Sequence, residues 1–267
     1  MPFDPPKNPR SMDAVLEMMR RLRDPEGGCP WDLEQTSASI APYCIEEAYE
    51  VVDAIENGTD ADLAGELGDL LLQVVFHAQM AEDRGAFTFA DVCEALVTKM
   101  VRRHPHVFAD GEERDAEGQT RAWEVIKAQE RAEKGEDESA LSGVPVGLPA
   151  FTRAEKLGKR ASRAGFDWTE RRDVLAKVRE ETDEIEEALD GDPDHLASEV
   201  GDLLFACAML TRKLGLQGET VLRAANAKFE RRFSHLEASA EAAGRPMDDH
   251  SLEELEAYWT DAKAKGL

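Results

Sequence analysis

A phrase written twice constrains this chain more than any other feature. Residues 65–76 read GELGDLLLQVVF and residues 198–209 read SEVGDLLFACAM. Each copy holds two carboxylates three residues apart, Glu66 with Asp69 and Glu199 with Asp202, so both members of a pair share one helix face. Leu63, Leu67, Leu70, Leu71, Val74 and Val75 form an apolar stripe at helical period beside the first pair. Other motifs repeat in the same order. EEAYE at 46–50 matches EETDE at 180–184, KMVRR at 99–103 matches KFERR at 228–232, and WEVIK at 123–127 matches WTDAK at 259–263, with offsets between 129 and 136 residues. Matched motifs in fixed order point to an internal duplication, and two copies allow the halves to pack about a pseudo-two-fold axis.

Helical patterning runs through both halves. Ser11 caps a segment to about Arg23, DPEGGCPWD reads as a loop, and helices follow at about 37–56 and 60–84. The Asn57-Gly58-Thr59 stretch between them reads as a helix stop, a turn and the next cap. Thr88 caps a helix that stops before Pro105, and another covers about 119–133. Further helices are expected at about 150–164, 169–189, 194–214, 218–243 and 251–264, with no sustained strand alternation. The expected fold is all-α, as two tandem helical bundles. Residues 1–134 form the first, residues 135–149, rich in charge and then in Gly and Pro, form a linker, and residues 150–267 form the second.

Composition narrows the partners. Of 267 residues 42% are hydrophobic but only 6% aromatic, a mix suited to helix–helix packing. The formal net charge of −24 disfavours bulk binding to nucleic acid or to an anionic membrane. An anionic substrate must therefore arrive with cations or meet a local basic cluster. Cys29, Cys44, Cys93 and Cys207 show no CxxC or zinc-finger spacing and read as reduced thiols. The N-terminal residues lack the apolar core of a signal peptide, and no apolar run nears the roughly 20 residues of a membrane span. The expected location is cytoplasmic.

The acids carry the chemistry. Glu47 and Glu50 are three apart on one expected helix, Glu66 and Asp69 on the next, and the short connection makes these helices antiparallel neighbours. Glu181, Glu184, Glu199 and Asp202 repeat the arrangement. Gly68 and Gly201, between the paired acids, are expected to leave room for a close approach. A solvated acidic face is the plainer reading, yet like charges at this spacing destabilise a helix and border an apolar stripe here. A metal site follows. None of the six histidines stands three residues after a Glu, so the Glu-x-x-His signature of di-iron bundles is missing. Oxygen-only ligands favour Mg²⁺, with Mn²⁺ as a substitute.

Basic residues supply a second half. Lys228 and Arg232 lie one turn apart, as do Lys99 and Arg103, with Arg231 and Arg102 alongside. Such clusters suit phosphate oxygens, or else are ordinary helix-surface charge. Trp259 with Lys263, and Trp123 with Lys127, share helix faces, where tryptophan either stacks on a base or fills a core. His104 and His106 flank Pro105 at a helix end. Neither a P-loop nor a G-x-S-x-G nucleophile motif is present.

Together these motifs resemble the MazG family of nucleoside triphosphate pyrophosphohydrolases, in the all-α NTP pyrophosphatase superfamily. The EExxE…ExxD pattern of that family stands here as Glu46-Glu47-x-x-Glu50 with Glu66-x-x-Asp69, and as Glu180-Glu181-x-x-Glu184 with Glu199-x-x-Asp202. CPWDLEQT at 29–36, RRHPHVF at 102–108, GFDW at 165–168 and NAKFERRF at 226–233 extend the resemblance over nearly the whole chain, as in the full-length tandem form.

The resemblance implies Mg²⁺-dependent hydrolysis of NTPs and dNTPs, with loose base choice, to monophosphate and pyrophosphate. It implies metal ligation by Glu181, Glu184, Glu199 and Asp202, and by their matches Glu47, Glu50, Glu66 and Asp69. Glu180 and Glu181 are the expected catalytic carboxylates. Lys228, Arg231, Arg232, Trp259, Lys263 and Trp168, with Lys99, Arg103, Trp123 and Lys127, are the expected substrate contacts. A homodimer, with helices of two subunits completing each bundle, is also implied. Gly158 stands where the family commonly has a longer residue, which is expected to loosen nearby substrate contacts. A competing reading keeps catalysis in the C-terminal half and gives the N-terminal half to dimerisation or regulation; another narrows the enzyme to one nucleotide.

Overall fold

The computed structural model describes residues 4–6, 8–109, 115–133 and 139–267. Among these residues there are helices and turns but no strand. The chain divides into two compact units, Met1–Ile126 and Lys127–Leu267, and the division falls inside a helix, Ala116–Glu133.

The first unit holds α1 (Met12–Leu22), α2 (Pro30–Glu34), α3 (Ser37–Asn57), α4 (Asp60–Asp83), α5 (Phe89–Arg103), α6 (Pro105–Phe108) and most of α7 (Ala116–Glu133). Capping sets the starts. The side chains of Ser11, Thr36 and Thr59 each accept a backbone N–H of the first turn, satisfying donors that a helix N-terminus leaves orphaned. The Asn57-Gly58-Thr59 connection folds α4 back along α3, and cross-helix contacts run in descending register, Cys44 to His77 and Glu47 to Gln73. These two helices therefore form the antiparallel hairpin expected from the sequence. One face of α4 buries Val75, Phe76 and Met80 against Met19 of α1 and Ile40 of α3. Each such side chain contributes about 1.5–3 kcal/mol by leaving water. The segment expected as a loop before α3 contains α2, which begins with Pro30 at its first position, where the missing N–H costs nothing.

The second unit holds α8 (Ala150–Arg163), α9 (Arg171–Ala188), α10 (Pro193–Lys213), α11 (Gly218–Ala242), a 3-10 turn at Met247–Asp249, and α12 (Leu252–Ala264). Its core joins Val174 of α9 to Ala208 and Met209 of α10, with Phe151, Ala154, Trp168 and Leu210 packed on them. The two hairpins stop in the same way. Gly85 after α4 and Gly215 after α10 adopt φ +70° and +72°, which glycine takes without a Cβ clash. The following amides, of Ala86 and Leu216, return to the carbonyls of Ala81 and Thr211 at 2.9 Å each.

One glycine expectation needs correction. A Cβ on Gly158 would run into the Sδ of Met209, so this glycine lets α8 approach α10 rather than loosening a substrate contact. A Cβ on Gly68 or Gly201 would meet nothing within 4 Å among the described residues. The close approach expected at those two positions is not made inside either unit.

Candidate active site: two acidic walls

Each hairpin gathers carboxylates from facing helices. In the first unit Glu47 of α3 and Glu66 and Asp69 of α4 each place an oxygen within 4.8 Å of the others. Glu50 lies against Glu47 and shares a hydrogen bond with it. Burial, then the charges of Glu50 and Asp69, push the Glu47 carboxyl above its ordinary range. Burial and the same two neighbours, joined by Asp62 and Asp53, push Glu66 up as well. The relief nearest to hand is neutral, the Gln73 amide donating to Glu47 at 3.4 Å. No ion pair to Glu47, Glu66 or Asp69 occurs among the described residues.

In the second unit Glu181 of α9 and Glu199 and Asp202 of α10 form the matching group. Glu181 is 4% exposed, and Glu184 shares a hydrogen bond with it. Burial raises Glu184 first, with Glu181 adding to the rise and Lys177 opposing it. Here the charge is answered from within. The Lys177 ammonium lies 2.6 Å from Glu181 Oε1 and 2.8 Å from Glu180 Oε1, and these contacts hold Lys177 well above its ordinary pKa. His195 Nδ1 lies 3.2 Å from Glu199 Oε1.

Lys177 and His195 were missed in the sequence. The signal was there, since each stands four residues before the carboxylate it touches. Matching the halves drew the eye to identical letters, whereas these positions differ: Tyr43 and Asp62 occupy them in the first half.

Both walls are donor sets of oxygens only. Three carboxylate oxygens within 4.8 Å of one another could hold a hard divalent cation.

The other expected site residues are distributed as follows. Lys228, Arg231 and Arg232 lie on α11, and Trp259 and Lys263 on α12. The Arg232 guanidinium sits over the Trp259 ring at 5.7 Å, its Nε donating to the Leu267 carbonyl at 2.7 Å. Phe229 packs on Trp259 at 5.3 Å. Trp168 packs on the core, and its carbonyl accepts from Lys213. On the N-terminal side the Trp123 Nε1 donates to the Arg103 carbonyl at 2.8 Å, and the His104 ring meets Trp123 edge-on at 5.1 Å. Of the two readings open for Trp123, core filling is the one these contacts match. Lys99 is exposed on α5, and Lys127 lies just past the division between the units.

Comparison with known proteins converges on one family. The profile of the MazG nucleotide pyrophosphohydrolase domain matches twice, over residues 35–108 and 170–236, so each match takes in one wall. The nucleoside triphosphate pyrophosphohydrolase of Escherichia coli K12 is 51% identical over 259 residues, covering 96% of this chain and 98% of that protein. The nucleoside triphosphate pyrophosphohydrolase/pyrophosphatase MazG of Thermotoga maritima is 43% identical over 252 residues, covering 94% and 95%. The nucleoside triphosphate pyrophosphohydrolase of Mycobacterium tuberculosis is 43% identical over 165 residues, covering 61% of this chain and 48% of its own length.

Proposed function

The chain belongs to the MazG nucleotide pyrophosphohydrolase family, and from that premise we propose that it hydrolyses nucleoside triphosphates, ribo and deoxy with broad base tolerance, to monophosphate and pyrophosphate. The observation that carries this reading is the pair of acidic walls, each an oxygen-only donor set, inside the two family matches. Mg²⁺, or Mn²⁺ in its place, would neutralise the triphosphate and lower the pKa of a bound water. In the second unit Glu181, Glu184, Glu199 and Asp202 would hold it, and in the first Glu47, Glu50, Glu66 and Asp69. Glu180, next to Glu181 and in contact with Lys177 at 2.8 Å, is proposed, with Glu181, to orient the attacking water or accept its proton. Lys228, Arg231, Arg232 and Lys263 are proposed to take the charge that gathers on the departing pyrophosphate, with Trp259 beneath the base.

The enzyme is proposed to act as a homodimer, with residues 1–134 and 150–267 as its domains and 135–149 as linker. Apolar side chains that face outward beside the second wall support a second copy: Leu204 is 57% exposed, Phe205 42% and Val200 41%. No helix among the described residues is long and apolar enough to cross a membrane. With the net charge of −24 this fits a cytoplasmic enzyme of the nucleotide pool that avoids nucleic-acid backbone.

The Lys177 ammonium at the second wall, with no such ion pair at the first among the described residues, favours a division of labour in which the C-terminal half turns over substrate and the N-terminal half serves assembly or regulation. Separate Glu66→Gln and Glu199→Gln variants test both readings through steady-state turnover of ATP with Mg²⁺. Loss confined to Glu199→Gln supports the division, equal losses refute it, and near-normal turnover in both removes the walls from catalysis.

A further inference from the structure

The two walls carry the same acids but different countercharges. At the C-terminal wall Lys177 reaches Glu181 at 2.6 Å and His195 reaches Glu199 at 3.2 Å, so two of the three clustered carboxylates already face a basic group. At the N-terminal wall the matching registers hold Tyr43, which carries no cation, and Asp62, which adds a negative charge.

Resting on the metal-wall reading above, we infer that Lys177 is a built-in competitor for divalent metal, so that the N-terminal wall loads metal at lower concentration than the C-terminal wall. An ammonium held against Oε1 of Glu181 repels an incoming divalent cation and occupies part of the carboxylate's acceptor capacity. Metal binding at the second wall therefore works against the Glu181–Lys177 contact, while Lys177 keeps Glu180 within its reach at 2.8 Å. Glu181 is almost fully buried, so its charge is poorly served by water and the ammonium contact that metal binding opposes is correspondingly strong. Among the described residues the first wall has no such contact to break, and its mutually repelling carboxylates gain fully from a cation. An acidic wall with an internal cation also stays ordered when metal is scarce. The C-terminal wall then takes metal most readily when nucleotide brings it, because the triphosphate adds ligands that the bare metal lacks.

The walls can be read one at a time in the full chain by Mn²⁺ binding, followed by electron paramagnetic resonance at fixed pH without nucleotide. Glu66→Gln with Asp69→Asn silences the first wall, and Glu199→Gln with Asp202→Asn silences the second. The expected result is Mn²⁺ binding at least several-fold weaker when only the C-terminal wall remains. Adding Lys177→Met to that chain should recover roughly tenfold in affinity and lower its metal-free melting temperature. Lys177→Gln, which keeps a polar group near Glu181, should act in the same direction, and circular dichroism of each variant confirms that the folded chain is the species titrated. Unchanged or weaker binding on removal of Lys177 overturns the inference. Equal affinities of the two walls overturn it as well. Absence of Mn²⁺ binding from every variant and from the parent chain would instead defeat the metal-wall reading on which it rests.

Discussion

Asp167 and Arg212, 45 residues apart, meet through both ends of the guanidinium, with Nη2 donating at 2.5 Å and Nη1 at 3.3 Å. The pair ties the turn after α8 to the end of α10, and Ser162 and Lys213 close on the same carboxylate. The Arg212 hydrogen bond above all, with those of Ser162 and Lys213, holds the Asp167 carboxyl well below the ordinary carboxylate range against the opposing effect of burial. Such a depressed group stabilises the fold fully above its unfolded pKa near 3.9, and the contribution is lost as pH falls below that value. Asp167→Asn should therefore destabilise the second unit by about 2 kcal/mol at neutral pH, because it leaves a mostly buried guanidinium half-paired. Urea unfolding at pH 7 and pH 3 checks this; the gap between variant and parent should narrow at the lower pH without closing, because the folded carboxyl stays ionised there.

The α8–α10 contact gives a packing prediction. Alanine normally improves a helix interior over glycine by about 1 kcal/mol. At Gly158 the new methyl meets Met209, a side chain 1% exposed with little space to turn into. Overpacking should win, and Gly158→Ala should cost about 1 kcal/mol net. In a Met209→Ala background the same change should stabilise instead, which thermal melts of the two singles and the double would read directly.

The N-terminal wall should respond to acid in the opposite sense from Asp167. Carboxyls raised in the folded state bind protons more tightly there than in the unfolded chain, so their net effect becomes more favourable as pH falls toward the raised value. Lowering pH from 7.5 to about 5.5 should raise the melting temperature of the metal-free protein, before groups such as Asp167 begin to lose their partners. Glu47→Gln with Glu66→Gln should mimic the acid effect at pH 7.5 and abolish it thereafter. A melting temperature that falls steadily over this range in the parent would refute the reading.

Two tryptophans at matched positions should behave differently. Trp123 is fixed by its hydrogen bond to the Arg103 carbonyl and by His104, so Trp123→Ala should lower stability. Trp259 lies under Arg232 in the basic cluster, and its loss should raise KM for ATP about tenfold, the scale of one base stacked on an aromatic ring. Melting curves and steady-state kinetics of both variants separate the roles.

These differences mark where the sequence was legible. Caps and glycine stops are local signals, and Ser11, Thr59 and Gly85 act as their patterns required. The α4 stripe is met only in part, since Val75 is buried whereas Leu67 and Val74 face outward and the core takes Phe76 and Met80 instead. The converging acids followed from a three-residue spacing and a short turn. Gly158 was misread because only the partner helix shows what a missing side chain accommodates. Gly68 and Gly201 do leave open space, and nothing among the described residues of their own unit fills it. Trp123 looked identical to Trp259 in its motif, yet its partner, a carbonyl, carries no side-chain letter. Lys177 went unnoticed because duplication rewards likeness, whereas the asymmetry of the walls lies in the positions where the copies disagree.

One measurement bears most directly on the reaction itself. Phosphorus NMR of ATP incubated with the purified chain and Mg²⁺ should show AMP and pyrophosphate growing together, with no transient ADP and no reaction after chelation. Appearance of ADP with inorganic phosphate would contradict the proposed pyrophosphohydrolysis, and an unchanged ATP spectrum with folded, metal-loaded protein would remove nucleotide hydrolysis altogether.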